Sequence, residues 1–215
     1  MNKTNNNQII LFLRAPEKGK VKTRLARDLG EIRALELYIQ FAESVLGAAQ
    51  ESGAGIDICF CPKDKLPLIE SWLGKDHSFF PQTGKDLGER MALALAHVFD
   101  TGAEKAVLVG SDIPEIRAAH FAMAFEALDQ WDMVIGPSMD GGYWLIGFNR
   151  QSFTPRLFQG IEWSTDSVCS ATLDLAGKAG LSFQRLPVLR DVDTAKDLGR
   201  INSLVEDPGR MNPFS

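Results

Sequence analysis

Two periodicities alternate along this chain. Short apolar runs without helical period, QIILFL (8–13), IDICFC (56–61), KAVLVGSD (105–112), DMVIGPS (132–138), GYWLIGF (142–148) and SFQRLP (182–187), read as strands, with SFFPQ (78–82) as a brief further one. Between them lie segments with apolar residues every three or four positions. The stretch from Glu31 to Gln50 puts Leu35, Tyr38, Ile39, Ala42, Val45, Leu46 and Ala49 on one helical face. DLGERMALALAHVF (86–99) does the same with Leu87, Met91, Leu95, Val98 and Phe99, and Glu115 to Leu128 with Ile116, Phe121, Phe125 and Leu128. KLPLIESWL (65–73), residues 167–178 and a segment from about Ala195 supply the remaining helices.

Strand–helix alternation requires crossover connections, so the pattern predicts an α/β fold: a Rossmann-like, three-layer α/β/α arrangement around a mostly parallel mixed sheet. The connection at Gly141–Gly142 is too short for a crossover, so one strand of that pair is expected to be antiparallel. A chain of 215 residues fits one domain, residues 1–215, with a polar arm at 1–7 and a tail from about 206 to 215.

Composition narrows the class. Apolar content of 45% and charged content of 24% belong to an ordinary globular chain, and no apolar run approaches a membrane span. MNKTNNNQ lacks the apolar centre of a signal peptide, and three cysteines make no disulfide framework; a cytoplasmic protein is expected. Cys59 and Cys61 share one face of a strand and read as small buried hydrophobes. His77, His97 and His120 have no ligand spacing. A net charge of −5 argues against nucleic acid as a partner.

Against that acidic background, FLRAPEKGKVKTRLARDLG (12–30) gathers Arg14, Lys18, Lys20, Lys22, Arg24 and Arg27 directly after the first strand. In open α/β sheets ligands bind beyond the carboxyl ends of the strands. The other loops at those ends carry acids: Asp112 after the central strand, Asp140 in GPSMDGG, and Asp191 and Asp193 in LRDVDTAKDL. Basic groups hold phosphates, and carboxylates hold a hard divalent cation on the same phosphates. The basic segment is no Walker loop, because Arg14 stands where its first glycine belongs and Val21 follows Lys20.

Simpler readings exist for each acid. Asp112 with Pro114 could cap the next helix. Thr194 with Asp197 forms a capping box that leaves Asp191 and Asp193 free; on an extended segment those two point the same way. Gly141–Gly142 could be only a tight turn.

FLRAPEKGKVKTRLA, QTGKDLGERM, LVGSDIPEI, GPSMDGGYWLIGF, IEWST and RDVDTAKDL, in that order, resemble the nucleotide-diphospho-sugar transferase superfamily with the glycosyltransferase-A fold. More closely, the set looks like a bacterial branch of small proteins described as glycosyltransferases. It is also similar to the 2-phospholactate guanylyltransferase and molybdenum-cofactor nucleotidyltransferase branches. The resemblance implies that Leu13, Arg14, Ala15 and Pro16 lie against a nucleotide whose phosphates Lys22 and Arg24 hold. It places Gln82, Gly84 and Gly88 near the base, with Ser111 beside the nucleotide. It makes Asp112 the principal ligand of Mg²⁺ or Mn²⁺, with Asp191 or Asp193 completing the site. Asp140, Gly141, Gly142 and Tyr143 line the acceptor or sugar side, with Trp163 as an aromatic wall. A glycine-rich opening signature is missing here, and the DxD of many sugar transferases is reduced to Ser111–Asp112.

Three functions use these parts. A glycosyltransferase would pass a sugar from a nucleotide-diphospho-sugar to a small-molecule acceptor, with Asp140 as base. A nucleotidyltransferase would pass a nucleotide from a triphosphate to a phosphorylated acceptor and release pyrophosphate. A non-catalytic nucleotide-binding module would do neither.

Overall fold

The computed structural model describes residues 6–199; most of the expected arm and all of the expected tail lie outside them. Seven strands form one sheet: β1 (Asn7–Arg14), β2 (Gly55–Cys61), β3 (Ser78–Pro81), β4 (Lys105–Gly110), β5 (Met133–Pro137), β6 (Tyr143–Asn149) and β7 (Phe183–Arg185). Their order is β3-β2-β1-β4-β6-β5-β7. β6 pairs antiparallel with both β4 and β5, and every other pairing is parallel. β6 is therefore the reversed strand that the short Gly141–Gly142 connection demanded. The carboxyl ends of all the other strands share one edge of the sheet.

Alternation along the strands builds two cores. Ile9, Leu11 and Leu13 of β1 face one side with Val45 and Leu46, Ile69, and Phe121 and Phe125. These come from α2 (Glu31–Glu51), α3 (Leu66–Leu73) and α5 (Ala118–Ala127). Ile10 and Phe12 face the other side with Met91, Leu95 and Val98 of α4 (Leu87–Asp100) and Leu173 of α6 (Val168–Lys178). The result is the expected three-layer α/β/α fold.

Four local expectations change. Leu87, expected on the buried face of α4, is exposed at its first turn. The basic segment contains a helix of its own, α1 (Thr23–Leu29), whose seven residues are too few to show a period. Leu25 of α1 packs on Ala34, Leu37 and Phe41 of α2, so the buried face of α2 turns toward α1 and leaves Leu35 and Ile39 half-buried. Finally, α5 begins at Ala118, because Ile113 and Ile116 are buried and draw residues 113–116 into a tight turn. Asp112 therefore caps no helix. The Thr194–Asp197 box forms as expected: the Asp197 amide donates to the Thr194 hydroxyl at 3.3 Å, and the Thr194 amide donates to the Asp197 carboxylate at 3.0 Å.

Away from the shared edge, Asp132 ties the start of β5 to two loops. Its carboxylate accepts from the Ser182 amide (2.9 Å), the Ser182 hydroxyl (2.7 Å) and the Ser152 hydroxyl (2.6 Å), and these bonds hold its pKa below the usual aspartate value. A depressed carboxylate stabilises the fold above its unfolded pKa, and that contribution is lost as pH falls through the folded value. Asp132→Asn is therefore expected to cost about 1 kcal/mol at pH 7, a figure discounted for partial exposure. The gap between mutant and wild type should close as pH falls below the ordinary aspartate range, which urea titrations at a series of pH values would measure.

Candidate active site

The shared edge gathers what the separate loops carried. β1 ends at Arg14, whose amide donates to the Tyr38 hydroxyl at 2.8 Å while that hydroxyl donates back to the Arg14 carbonyl at 2.7 Å. Tyr38 thus clamps the exit of the first strand from α2. Burial pushes its phenol pKa well up, so it stays a neutral donor. Among the residues expected against a nucleotide, Leu13 and Ala15 bury their side chains in the core, Arg14 is exposed and Pro16 is half-buried. Gln82 bridges the ends of two strands, its amide donating to the Leu13 carbonyl (3.3 Å) and the Cys59 carbonyl (3.1 Å).

The chain then turns back through Lys22, which sits in the left-handed region (φ 45°, ψ 46°) at the head of α1. Such a conformation costs a non-glycine residue roughly 1–3 kcal/mol and persists only where surrounding contacts impose it. Those contacts are ionic. Lys22 Nζ lies 3.1 Å from Asp112 and 2.8 Å from Asp193, with its side chain only 4% exposed. Burial by itself would lower its pKa, but the two carboxylates outweigh that effect and hold it above the ordinary lysine value. Arg24 reaches Asp193 at 3.6 Å from a largely exposed position.

Asp193 arrives from residues far along the chain because its neighbour is apolar. Val192 is fully buried in the cluster with Leu25, Leu37 and Phe41, a contact that stabilises the segment by about 1.5 kcal/mol or more. Its amide also donates to the Asp112 carbonyl at 3.2 Å. With Val192 turned inward, its neighbours Asp191 and Asp193 are both half-buried. The two aspartates nonetheless differ. Asp193 joins Asp112 on Lys22, whereas the Asp191 pKa is raised by burial and then by the charges of Asp140 and Asp193.

Asp140 lies in the loop between β5 and β6. Its Oδ1 accepts from the Ser138 hydroxyl and, at 3.0 Å, from the Gly142 amide. Gly141 has φ +89° and packs so closely on the 161–166 loop that a Cβ would stand 2.0 Å from the Asp166 carbonyl oxygen. That loop reaches Gly88 at its other end, where a Cβ would meet the Trp163 ring at 2.3 Å. Gly88 is thus the seat of Trp163. Gly84 (φ +133°) lets the chain pass close to the start of α4. Ser111 is buried. Tyr143 turns inward toward Met91 and Thr172, and burial drives its phenol pKa up; its hydroxyl is not presented to the loops.

Among the described residues, no three His, Cys, Asp or Glu side chains converge as metal ligands. Asp112 and Asp193 nevertheless place carboxylate oxygens within 3.1 Å of one point, the Lys22 nitrogen. Mg²⁺ and Mn²⁺ are commonly held by one or two carboxylates together with phosphate and water. The donors fit a cation that shares its shell with a phosphate, and they make no closed protein cage.

Residues 44–165, more than half of the chain, match the family described as "Uncharacterized protein conserved in bacteria (DUF2064)". No curated protein matches the sequence. Among solved structures, one from Desulfovibrio desulfuricans G20, provisionally named a nucleotide-diphospho-sugar transferase, is 39% identical over 96% of this chain and 90% of its own, with a TM-score of 0.92. Two more distant structures share the fold. Rv0371c of Mycobacterium tuberculosis H37Rv, in complex with manganese, is 16% identical over 93% of this chain and 99% of its own (TM-score 0.59). A nucleotidyl transferase of Methanothermobacter is 15% identical over 92% and 96% (TM-score 0.60).

The fold and this likeness define a transferase of the nucleotide-diphospho-sugar superfamily. Within it, the chain belongs to the DUF2064 family. Among the described residues no helix is long and apolar enough to cross a membrane.

Proposed function

We propose that the protein is a divalent-metal-dependent transferase that takes a nucleotide-diphospho-sugar and passes its sugar to a small-molecule acceptor. The observation that carries this reading is the meeting of Asp112, Asp193 and Lys22 at the carboxyl edge of the sheet, beneath the basic segment. The 39% identical relative, with its nucleotide-diphospho-sugar name, supports the donor class.

In this reading the backbone of residues 13–16 and the Gln82–Gly88 stretch hold the nucleoside. Lys22 and Arg24 lie beside its diphosphate. Mg²⁺ or Mn²⁺ on Asp112 and Asp193 would neutralise the negative charge of the diphosphate. On the other side, Asp140 Oδ2 makes no hydrogen bond among the described residues, while Oδ1 is fixed by Ser138 and Gly142. A fixed carboxylate with one open oxygen suits a general base. The acceptor hydroxyl attacks the anomeric carbon, its proton passes to Asp140, and the bond from that carbon to the diphosphate oxygen breaks, releasing a nucleoside diphosphate.

A second reading, nucleotidyl transfer from a triphosphate, draws on the exposed cations of the basic segment. Arg14, Lys20 and Arg24 exceed what two phosphates need, and the Methanothermobacter fold relative carries that activity in its name.

A thermal-shift screen separates the two. Nucleoside triphosphates and nucleotide-diphospho-sugars would each be tested with Mg²⁺ or Mn²⁺ and with chelator. Saturation at ~100 times the dissociation constant adds about 2.7 kcal/mol, roughly 5–10 °C for a chain of this size. A metal-dependent shift from one diphospho-sugar is the expected result. A shift from a triphosphate alone would replace this reading with nucleotidyl transfer, and silence across the panel would leave a fold without this ligand class.

A further inference from the structure

We propose that Lys22 is a displaceable counter-ion: its ammonium stands where the divalent cation would bind, so the cation alone binds poorly until an anion draws the lysine away. The proposal rests on the reading that Asp112 and Asp193 take that cation.

Three observations carry it. First, the order of burial is inverted relative to an ordinary surface ion pair. The Lys22 side chain is 4% exposed, while its partners Asp112 and Asp193 are 48% and 36% exposed. The positive charge lies at the bottom and the carboxylates line the mouth. Second, each of those carboxylates contributes an oxygen to the lysine, Oδ1 in both cases. Third, Lys22 reaches this position from a left-handed backbone with no side-chain cap on its helix, so the ion pairs are what offset the strain.

A cation drawn to the same oxygens would stand within a few ångströms of a buried ammonium. Like charges at that separation repel by several kcal/mol at the effective dielectric of a partly buried site. The ammonium must find a new anion for both to stay. Arg24, already 72% exposed, cannot take over at the bottom of the site. A nucleotide phosphate can receive the ammonium and bind the cation in the same step. Cation and phosphate binding are then coupled through one side chain, and that coupling is reciprocal.

The test uses Mn²⁺ alone, titrated calorimetrically into the wild type, Lys22→Met, Lys22→Arg, and each of these combined with Asp112→Asn. Methionine keeps much of the length and removes the charge. Lys22→Met is expected to bind Mn²⁺ at least ~10-fold more tightly than the wild type, a change within the range of allosteric couplings. Lys22→Arg should stay as weak as the wild type, and Asp112→Asn should cancel the gain. If Lys22→Met is too unstable to titrate, melting curves in chelator and in Mn²⁺ give the same reading, because Mn²⁺ should raise its Tm more than that of the wild type. Equal or weaker Mn²⁺ binding by Lys22→Met, with Asp112 still required, would overturn the exchange and leave the metal assignment standing. Mn²⁺ binding that ignores Asp112 in every background would instead overturn the assignment on which the exchange rests.

Discussion

Asp112→Ala is expected to weaken metal-dependent nucleotide binding by at least ~100-fold, about 2.7 kcal/mol, and to leave the fold intact. The two halves of this prediction come from different atoms. The Asp112 side chain is half exposed, and its ion-pair partner, Lys22, keeps Asp193 at 2.8 Å when Asp112 is gone. No buried charge is orphaned, so the stability cost should stay within about 1 kcal/mol. The Asp112 carbonyl, which receives the Val192 amide, is unchanged by the substitution. Binding is another matter, because one of two carboxylates facing the proposed cation disappears. Isothermal titration with the best ligand of the thermal-shift screen, with metal and with chelator, measures the first half, and a melting curve measures the second. Unchanged affinity in both buffers would remove Asp112 from the site.

Gly141→Ala carries the largest expected stability effect. Gly141 combines φ +89°, a region that alanine rarely enters, with a Cβ position 2.0 Å from the Asp166 carbonyl oxygen. The obstacle is backbone, which cannot rotate away as a side chain can. The Gly141 carbonyl also receives the Cys169 amide at 2.9 Å, so a shift of the loop releases the start of α6 as well. A cost of about 3 kcal/mol is expected from strain and clash together. In a chain of this length that lowers Tm by roughly 6–12 °C. Hydrogen exchange should show the loss beginning at residues 138–142 and 166–169. A Tm within 2 °C of the wild type, with unchanged exchange in both segments, would mean that the two loops are not held together as the geometry requires (the shift per kcal/mol being about 2–4 °C).

Much of the fold could be read directly along the chain. Strands and helices show as different apolar periods. The reversal of one strand of the β5–β6 pair follows from the length of their connection, which no crossover could fill, while the sheet pairing shows that strand to be β6. The capping box at Thr194 was legible because both partners lie three residues apart. The candidate loops followed from their places after strands. Where the reading failed, the cause was a short segment or a contact beyond the segment concerned. α1 has too few residues to show a period, and the face of α2 is set by α1 lying across it. The start of α5 is set by two isoleucines sinking into the core. Tyr38 showed in sequence only as a core position, because a helical apolar stripe does not say that a phenol will clamp the end of the first strand.

The sequence by itself determined most of the elements, a mostly parallel sheet with one reversed strand, and the residue types available at its carboxyl edge, since these depend on neighbours within a few positions. Only the tertiary structure decided which of those residues meet. Lys22 and Asp193 stand 171 positions apart, and their 2.8 Å contact exists because Val192, one residue away, is buried between α1 and α2. Tyr143 and Trp163, both placed on the acceptor side by the resemblance, are both half-buried against the core that α4 covers. One is turned inward against α4, and the other is seated on the missing Cβ of Gly88. Contacts of that kind are set by how much apolar surface each distant segment hides, a quantity that no single stretch of the chain contains.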